Sequence, residues 1–232
     1  MTRPPTGMSV RMSVSQAVDS RVSARAFLDR PVPRAFVEDI LRRAARAPSG
    51  GNLQPWVARL VEGEEIAALK TRMRARIAEL PDGEPMAHGF YPPALKPAYL
   101  ARRQRNGEIL YGALGIDRHD PVARKAWIDE NFQFFGAPVG VLLFVERNST
   151  PYQWIDLGIY LQTVLLLLCE AGLDACPQAD WAMYAATVTA FLDAPPDLML
   201  ICGIAIGHAD PNRPENFIRT ERDDPLASFA IS

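Results

Sequence analysis

The stretch 152–172 is the most apolar of the chain, and it limits what can be packed around it. Its length approaches that of a membrane span, yet Asp156, Gln162 and Glu170 interrupt it and no basic flank follows. A helix apolar nearly all round in a soluble protein is buried on several sides. The remainder of the 232 residues, a length at the upper end of single-domain sizes, is long enough to bury it in a sizeable core.

The flanking patterns supply the wrapping. Pro31 and Pro33 open a helix over about 33–46, with Val37, Ile40, Leu41 and Ala44 at helical spacing. Residues 57–61 read as a strand, and 64–80 as a helix that turns Ile66, Leu69, Met73 and Ile77 inward. The run 131–138 is a helix end or turn entering a buried strand over 139–145. A turn over 173–181, a helix over 183–192, a break at Pro195 and Pro196 and a strand over 198–206 complete the core. Residues 81–118, rich in proline, aromatics and arginine, read as an excursion forming a lid or pocket wall. Residues 1–13 lack the apolar run of a signal peptide and are expected to be a flexible tail before a single domain over 14–232.

Composition removes several classes of function. With 48% hydrophobic residues, 22% charged and a net charge of −2, neither nucleic acid nor an anionic membrane is an expected partner. Cys169, Cys176 and Cys202 are odd in number and form no CxxC pair, which speaks for reduced thiols in the cytoplasm. His88, His119 and His208 show no metal-ligand spacing, so no metal is expected. Neither GxGxxG after a strand nor a Walker loop is present, so the chain has no dinucleotide fingerprint of its own.

Two segments carry chemistry. Across 20–27, Arg21, Ser23 and Arg25 alternate with Val22 and Ala24, so an extended backbone puts all three polar side chains on one side. Two guanidinium groups and a hydroxyl converging there make a phosphate grip. The loop 47–56 is stiffened by Pro48 and Pro55, allows close approach at Gly50 and Gly51, and offers Ser49, Asn52 and Gln54 as neutral hydrogen-bonding groups. Such a loop suits a flat, polar-edged heterocycle.

These motifs together resemble the FMN-dependent nitroreductase family, and most of all its nitrobenzene and nitrobenzoate reductases. The match runs through Arg21-x-Ser23-x-Arg25-Ala26-Phe27, the Pro48-Ser49…Asn52-x-Gln54-Pro55-Trp56 loop, Asn131 before its strand, and the Cys176-Pro177-Gln178 turn. The resemblance implies an α+β, three-layer fold with a central, mostly antiparallel sheet flanked by helices. It implies an intertwined homodimer centred on the 152–172 helix, with residues 225–231 crossing to the partner. Arg21 and Ser23 would hold the FMN phosphate and ribityl end, with Val22 contributing backbone only, and Arg25 would reach the pyrimidine edge. Pro48, Ser49, Gly50, Asn52, Gln54 and Asn131 would border the ring, main-chain groups of Pro177, Gln178 and Ala179 would lie near N5, and Arg219 or Arg222 would close on the phosphate. Phe134 stands where many members carry a lysine.

By the same resemblance, the flavin itself carries the catalysis. NADH or NADPH docks transiently and gives hydride to N5, and a nitroaromatic then takes two electrons in a ping-pong cycle, going through nitroso to hydroxylamine. Tyr91 and Arg103 of the excursion are candidates for meeting the substrate. Alternatives on this scaffold are quinone, enone or halogenated aromatic acceptors, or a flavin-binding sensor without turnover.

Overall fold

The computed structural model describes residues 12–226. At its centre lies an antiparallel sheet of four strands, β1 (Val57–Glu62), β2 (Val139–Glu146), β3 (Asp174–Gln178) and β4 (Leu198–Gly207), in the order β1-β2-β4-β3. The helices among the described residues are α1 (Val14–Ser20), α2 (Arg34–Ala44), α3 (Gly63–Glu79), α4 (Pro97–Leu114), α5 (Pro121–Asp129), α6 (Pro151–Glu170) and α7 (Ala185–Phe191).

The period-two rule of a strand divides β2 between two cores. Val139, Val141, Leu143 and Val145 face a layer built on α2 and α6, where they meet Val37, Ile40, Tyr160 and Val164. Leu142 and Phe144 face the other way, toward Ile66, Leu69 and Met73 of α3 and Val188 of α7. Three layers result, with the sheet covered on both faces. Each such aliphatic side chain contributes about 1.5–3 kcal/mol on full burial, so the near-continuous apolar run of β2 is what holds the layers together.

Helix α6 starts where Gln153 reaches back to accept from the Thr150 N–H (3.0 Å) and Pro151 takes the first position. One side, carrying Leu157, Tyr160, Val164 and Leu168, is buried, whereas Tyr152, Ile155 and Ile159 are exposed. With a mean hydropathy of 1.3 it is, among the described residues, the one helix long and apolar enough to cross a membrane. Here it packs instead on α1, α2, β2 and β3.

Two expectations are corrected. The segment 173–181 is not simply a turn: Asp174–Gln178 form strand β3, which pairs with β4 along its length. It tolerates Pro177 because it is an edge strand, met outside only at Ser23 and by the Ala24 N–H bonded to the Ala175 carbonyl (3.1 Å). Residues Ala179–Tyr184 then form a 3-10 segment, so α7 begins at Ala185 and not at Met183. The excursion 81–118 also contains a regular 18-residue helix, α4, started by Pro97 and stopped by Gly115 at a left-handed φ of 66°. No residue of α4 is buried.

Phe134 and Trp181 stack at 4.4 Å between centroids, each with 0% exposure. They lie against two glycines of the sheet: a Cβ on Gly140 would come within 2.4 Å of Phe134, and one on Gly203 within 2.3 Å of Trp181. Phe134 is thus a core ring and faces no binding surface. At the termini, residues 1–11 and 227–232 lie outside the described residues, so most of the expected tail and all but Pro225 and Leu226 of the expected crossing segment are not covered. Ser13 caps α1, its hydroxyl accepting from the Gln16 N–H (3.2 Å).

Candidate functional site

Beyond the end of α1 the chain runs extended, and burial alternates from Ser23 on: Ala24 and Ala26 are buried while Ser23 and Arg25 are half-buried, whereas Val22, expected with Ala24 on the inner side, is half-buried like Arg21. Arg21, Val22, Ser23 and Arg25 line a cavity of about 550 Å³. Arg219 and Arg222 of the C-terminal segment form its facing wall, and Asn106 of α4 and Gln162 of α6 supply neutral amides. Four guanidinium groups around one cavity, with Asp19 the acid on its lining, make an anion site.

The guanidinium groups are placed by main-chain carbonyls. Arg219 donates to the carbonyls of Asp19 and Ser20 (2.9 Å to the latter), closing the last turn of α1. Arg222 donates to Thr220 O (3.1 Å) and Glu221 O (2.8 Å), and Arg25 to Ser23 O (3.2 Å). A guanidinium has five N–H donors, so each retains groups for a phosphate.

Asn216, for which sequence reasoning offered no signal, holds the two walls together. Its Oδ1 accepts from the Arg25 N–H (2.7 Å) and the Ala26 N–H (3.2 Å), and its Nδ2 donates to Ala26 O (2.8 Å) and Asp210 O (2.9 Å). The residue is 5% exposed.

At the end of β3, Gln178 is buried and its amide is fully engaged. Nε2 donates to the Asn131 carbonyl (2.8 Å) and Oδ1 (3.3 Å), while Oε1 accepts from the Trp181 indole N–H (3.3 Å). Asn131 in turn donates to Ile128 O (2.9 Å). Both side chains therefore shape this corner from inside, leaving exposed Ala179 and half-buried Pro177 at the surface. Burial holds the neighbouring Asp180 carboxyl above the usual carboxylate range, against the opposing pull of Arg25. Burial likewise pushes the thiols of Cys176 to about 11 and Cys202 to about 12, so neither is a nucleophile at neutral pH.

The loop 48–54 lies elsewhere in the subunit. Gly50 N–H donates to Asp156 Oδ2 (3.1 Å) on α6, Gln54 N–H to Ser49 Oγ (3.0 Å), and Trp56 stacks on Tyr160 at 4.9 Å. Gly51, Asn52 and Gln54 all have φ between 50° and 58°. The loop is thus held in an uncommon conformation with Pro48, Gly50, Asn52 and Gln54 exposed.

Of the predicted cofactor residues, Arg21, Val22, Ser23, Arg25, Arg219 and Arg222 share the cavity. Pro48, Ser49, Gly50, Asn52, Gln54, Asn131, Pro177, Gln178 and Ala179 do not line it. The predicted substrate pair is brought together, with the Arg103 guanidinium 4.6 Å from the Tyr91 ring centre. Both border a second cavity of about 780 Å³, which shares Asn106, Thr220 and Arg222 with the first. Ion pairs Arg102–Asp223 and Arg105–Glu221 tie α4 to the C-terminal segment between them. No cluster of metal-ligating side chains occurs among the described residues.

A dianionic phosphate carrying a flat, polar-edged ring fits this donor set: cations, a hydroxyl and amides around an open cavity. Comparison with known proteins points the same way. A family model described as "Nitroreductase family" matches residues 18–208. A 4-nitrobenzoate reductase of Pseudomonas putida is 35% identical over 206 residues, covering 89% of each chain. The crystal structure of an FMN and NADPH-dependent nitroreductase, NfnB from Sphigopyxis sp. strain HMH, superposes with a TM-score of 0.90 at 45% identity, covering 95% of this chain and 98% of that one. The FMN-dependent nitroreductase NfnB from Mycobacterium smegmatis, solved in complex with NADPH, gives 0.86 at 30% identity, covering 95% and 99%.

Proposed function

Because the chain belongs to the nitroreductase family, we propose that it is an FMN-dependent oxidoreductase that draws electrons from NADPH or NADH and reduces nitroaromatic compounds, acting as a homodimer. The observation that carries this reading is the cavity where Arg21, Ser23 and Arg25 face Arg219 and Arg222. Arg21, Ser23 and the two tail arginines bind the phosphate end by charge-assisted hydrogen bonds. Arg25, beyond them along the same extended segment, faces the ring and stabilises negative charge that builds up there. Half-buried Pro177 and exposed Ala179, left at the surface by the inward turn of Gln178, present main-chain groups to the ring edge.

When bound, FMN supplies the two-electron chemistry, accepting reducing equivalents from the nicotinamide and passing them to the acceptor. The protein's part is placement, charge and exclusion of water, and the two buried thiols, held protonated, serve as no nucleophile. Arg103 on Tyr91 offers a cation beside an aromatic face, which suits a nitroaromatic carrying a carboxylate. A sensor without turnover would need an aromatic filling the stacking site. Phe90 and Tyr91 are 41% and 54% exposed and line no part of the arginine cavity, which supports an open, working site.

The loop 48–54 completes the site from a second copy, which is why one subunit does not bring it to the arginines. Three free thiols suit a reducing cytoplasm. The test is optical. The purified protein is expected to be yellow, to bleach on addition of NADPH or NADH, and to recover its colour on addition of 4-nitrobenzoate or nitrobenzene. A colourless protein that takes up no FMN, or one whose flavin is not bleached by either nicotinamide, would refute the proposal.

A further inference from the structure

The arginines of the cavity come from two segments nearly 200 residues apart in sequence, 21–25 and 219–222, and a phosphate can be gripped from both sides only if their separation is set. Residues 23–27 belong to no strand of the sheet: they bridge β3 at Ser23–Ala175, and they meet the root of the other segment at Phe27–Ala209 and where the Asp210 N–H bonds the Ala26 carbonyl (3.0 Å), which leaves the run from 211 to the tail arginines to be placed. The structure assigns that task to Asn216. Its four hydrogen bonds use both lone pairs of Oδ1 and both protons of Nδ2, and they run to the main chain of Arg25 and Ala26 on one wall and of Asp210 at the root of the other.

Because the partners are main-chain groups, the clamp fixes where the arginine-bearing backbone runs and leaves the guanidinium groups free to meet a ligand. It sits two residues beyond Pro214 and three before Arg219, at 5% exposure, so water cannot substitute for it. Asn216 is therefore a positioning residue for the phosphate grip. Its role is to hold the two basic walls at the spacing of one phosphate monoester and so to make the site prefer a phosphorylated flavin over its dephosphorylated form. This inference rests on the FMN reading above.

The test compares FMN with riboflavin, which shares the ring and ribityl chain and lacks the phosphate. Dissociation constants for both are measured by quenching of flavin fluorescence on full-length protein stripped of flavin, for wild type, Asn216→Ala and Asn216→Ser. The Thr187→Val variant serves as a control: it removes a buried hydrogen bond to Glu84, on the far side of the sheet, without touching the cavity. Asn216→Ala is expected to weaken FMN about tenfold or more while weakening riboflavin less than about threefold, because the lost bonds act on the phosphate walls. Asn216→Ser, smaller and neutral, shows the same selective loss in weaker form and answers the question if the alanine variant does not fold. Thr187→Val lowers the melting temperature and leaves the FMN-to-riboflavin ratio unchanged. Equal weakening of both flavins, or none, in the Asn216 variants would overturn the inference. Wild-type protein that binds neither flavin would instead remove the cofactor reading beneath it.

Discussion

Replacing Gly203 by alanine tests how the corner of the site is supported. The new methyl would lie 2.3 Å from Cδ1, 2.7 Å from Nε1 and 3.0 Å from Cγ of Trp181, roughly an ångström inside normal contact at the closest atom. The indole has nowhere to retreat: its other side stacks on Phe134 at 4.4 Å, Phe132 meets it edge-on at 5.6 Å, and the residue is 0% exposed. Overpacking of this kind costs about 1–3 kcal/mol, and for a chain of this length each kcal/mol lowers Tm by about 2–4 °C. Gly203→Ala should therefore melt roughly 2–12 °C below wild type by calorimetry. Trp181 also donates to Gln178, which holds Asn131, so the same change should loosen the corner below the proposed ring site. A double-mutant cycle with Trp181→Leu separates clash from general damage. If the ring is the obstacle, the double variant loses less than the sum of the singles, by about 0.5–3 kcal/mol. A Gly203→Ala protein melting within about 1 °C of wild type, or strict additivity in the cycle, would refute the reasoning.

Arg21→Gln should weaken FMN binding about tenfold or more, consistent with loss of charge-assisted bonds, and should flatten the dependence of affinity on salt; calorimetric titration at two ionic strengths checks both. Burial disfavours ionised Glu84, but its hydrogen bonds from the Thr187 side chain and N–H and from Arg76 outweigh that and hold the carboxyl below the usual glutamate range. A lowered folded-state value stabilises the fold above the ordinary glutamate range and loses that contribution as pH falls through it. Glu84→Gln is thus expected to lose stability at neutral pH and to show a shallower decline below about pH 4 in acid unfolding curves; parallel curves would count against this. In a thiol titration of the folded protein, half-buried Cys169 should react well before Cys176 and Cys202, whose burial keeps them protonated, and three thiols should appear on denaturation.

What could be read in advance follows from where the determinants are local. The arginine cavity was legible because period-two alternation over 20–27 needs only an extended backbone, and Ala24 and Ala26 supply the buried face. The inner strands β2 and β4 and helices α2, α3 and α6 were legible from apolar runs and helical spacing. Strand β3 was not, because Pro177 and a five-residue length look like a turn until β4 is known to pair with it. Helix α4 escaped because it buries nothing within the subunit and so carries no apolar stripe pointing into this core. The expectation that Asn131 borders the ring came from the family resemblance and its place before the strand. Within the subunit its amide bonds to Ile128, three residues back, and to Gln178, whose approach depends on how β3 packs. Asn216 could not be found because its partners lie 190 and 191 residues away.

The surfaces left open in one subunit meet along a single line. Tyr152, Ile155 and Ile159 of α6 are exposed at helical spacing, and Gln162 continues the same stripe into the lining of the arginine cavity. Asp156, which anchors the 48–54 loop, lies about 9 Å back along the axis from Gln162 and about a third of a turn around it. Loop and arginine cavity thus meet α6 at different levels and on different sides of the helix within the subunit. A second copy laid on the stripe with the opposite direction would bring its loop to the mouth of this cavity, and would give the unburied helix α4 a surface to cover. Charging the stripe by Ile155→Glu with Ile159→Glu should then convert a species of twice the subunit mass to monomer in sedimentation, and should abolish FMN retention although every arginine of the cavity is intact. Undiminished flavin binding by a monomeric variant would show that one chain makes the whole site, and the division of labour argued from α6 would fall.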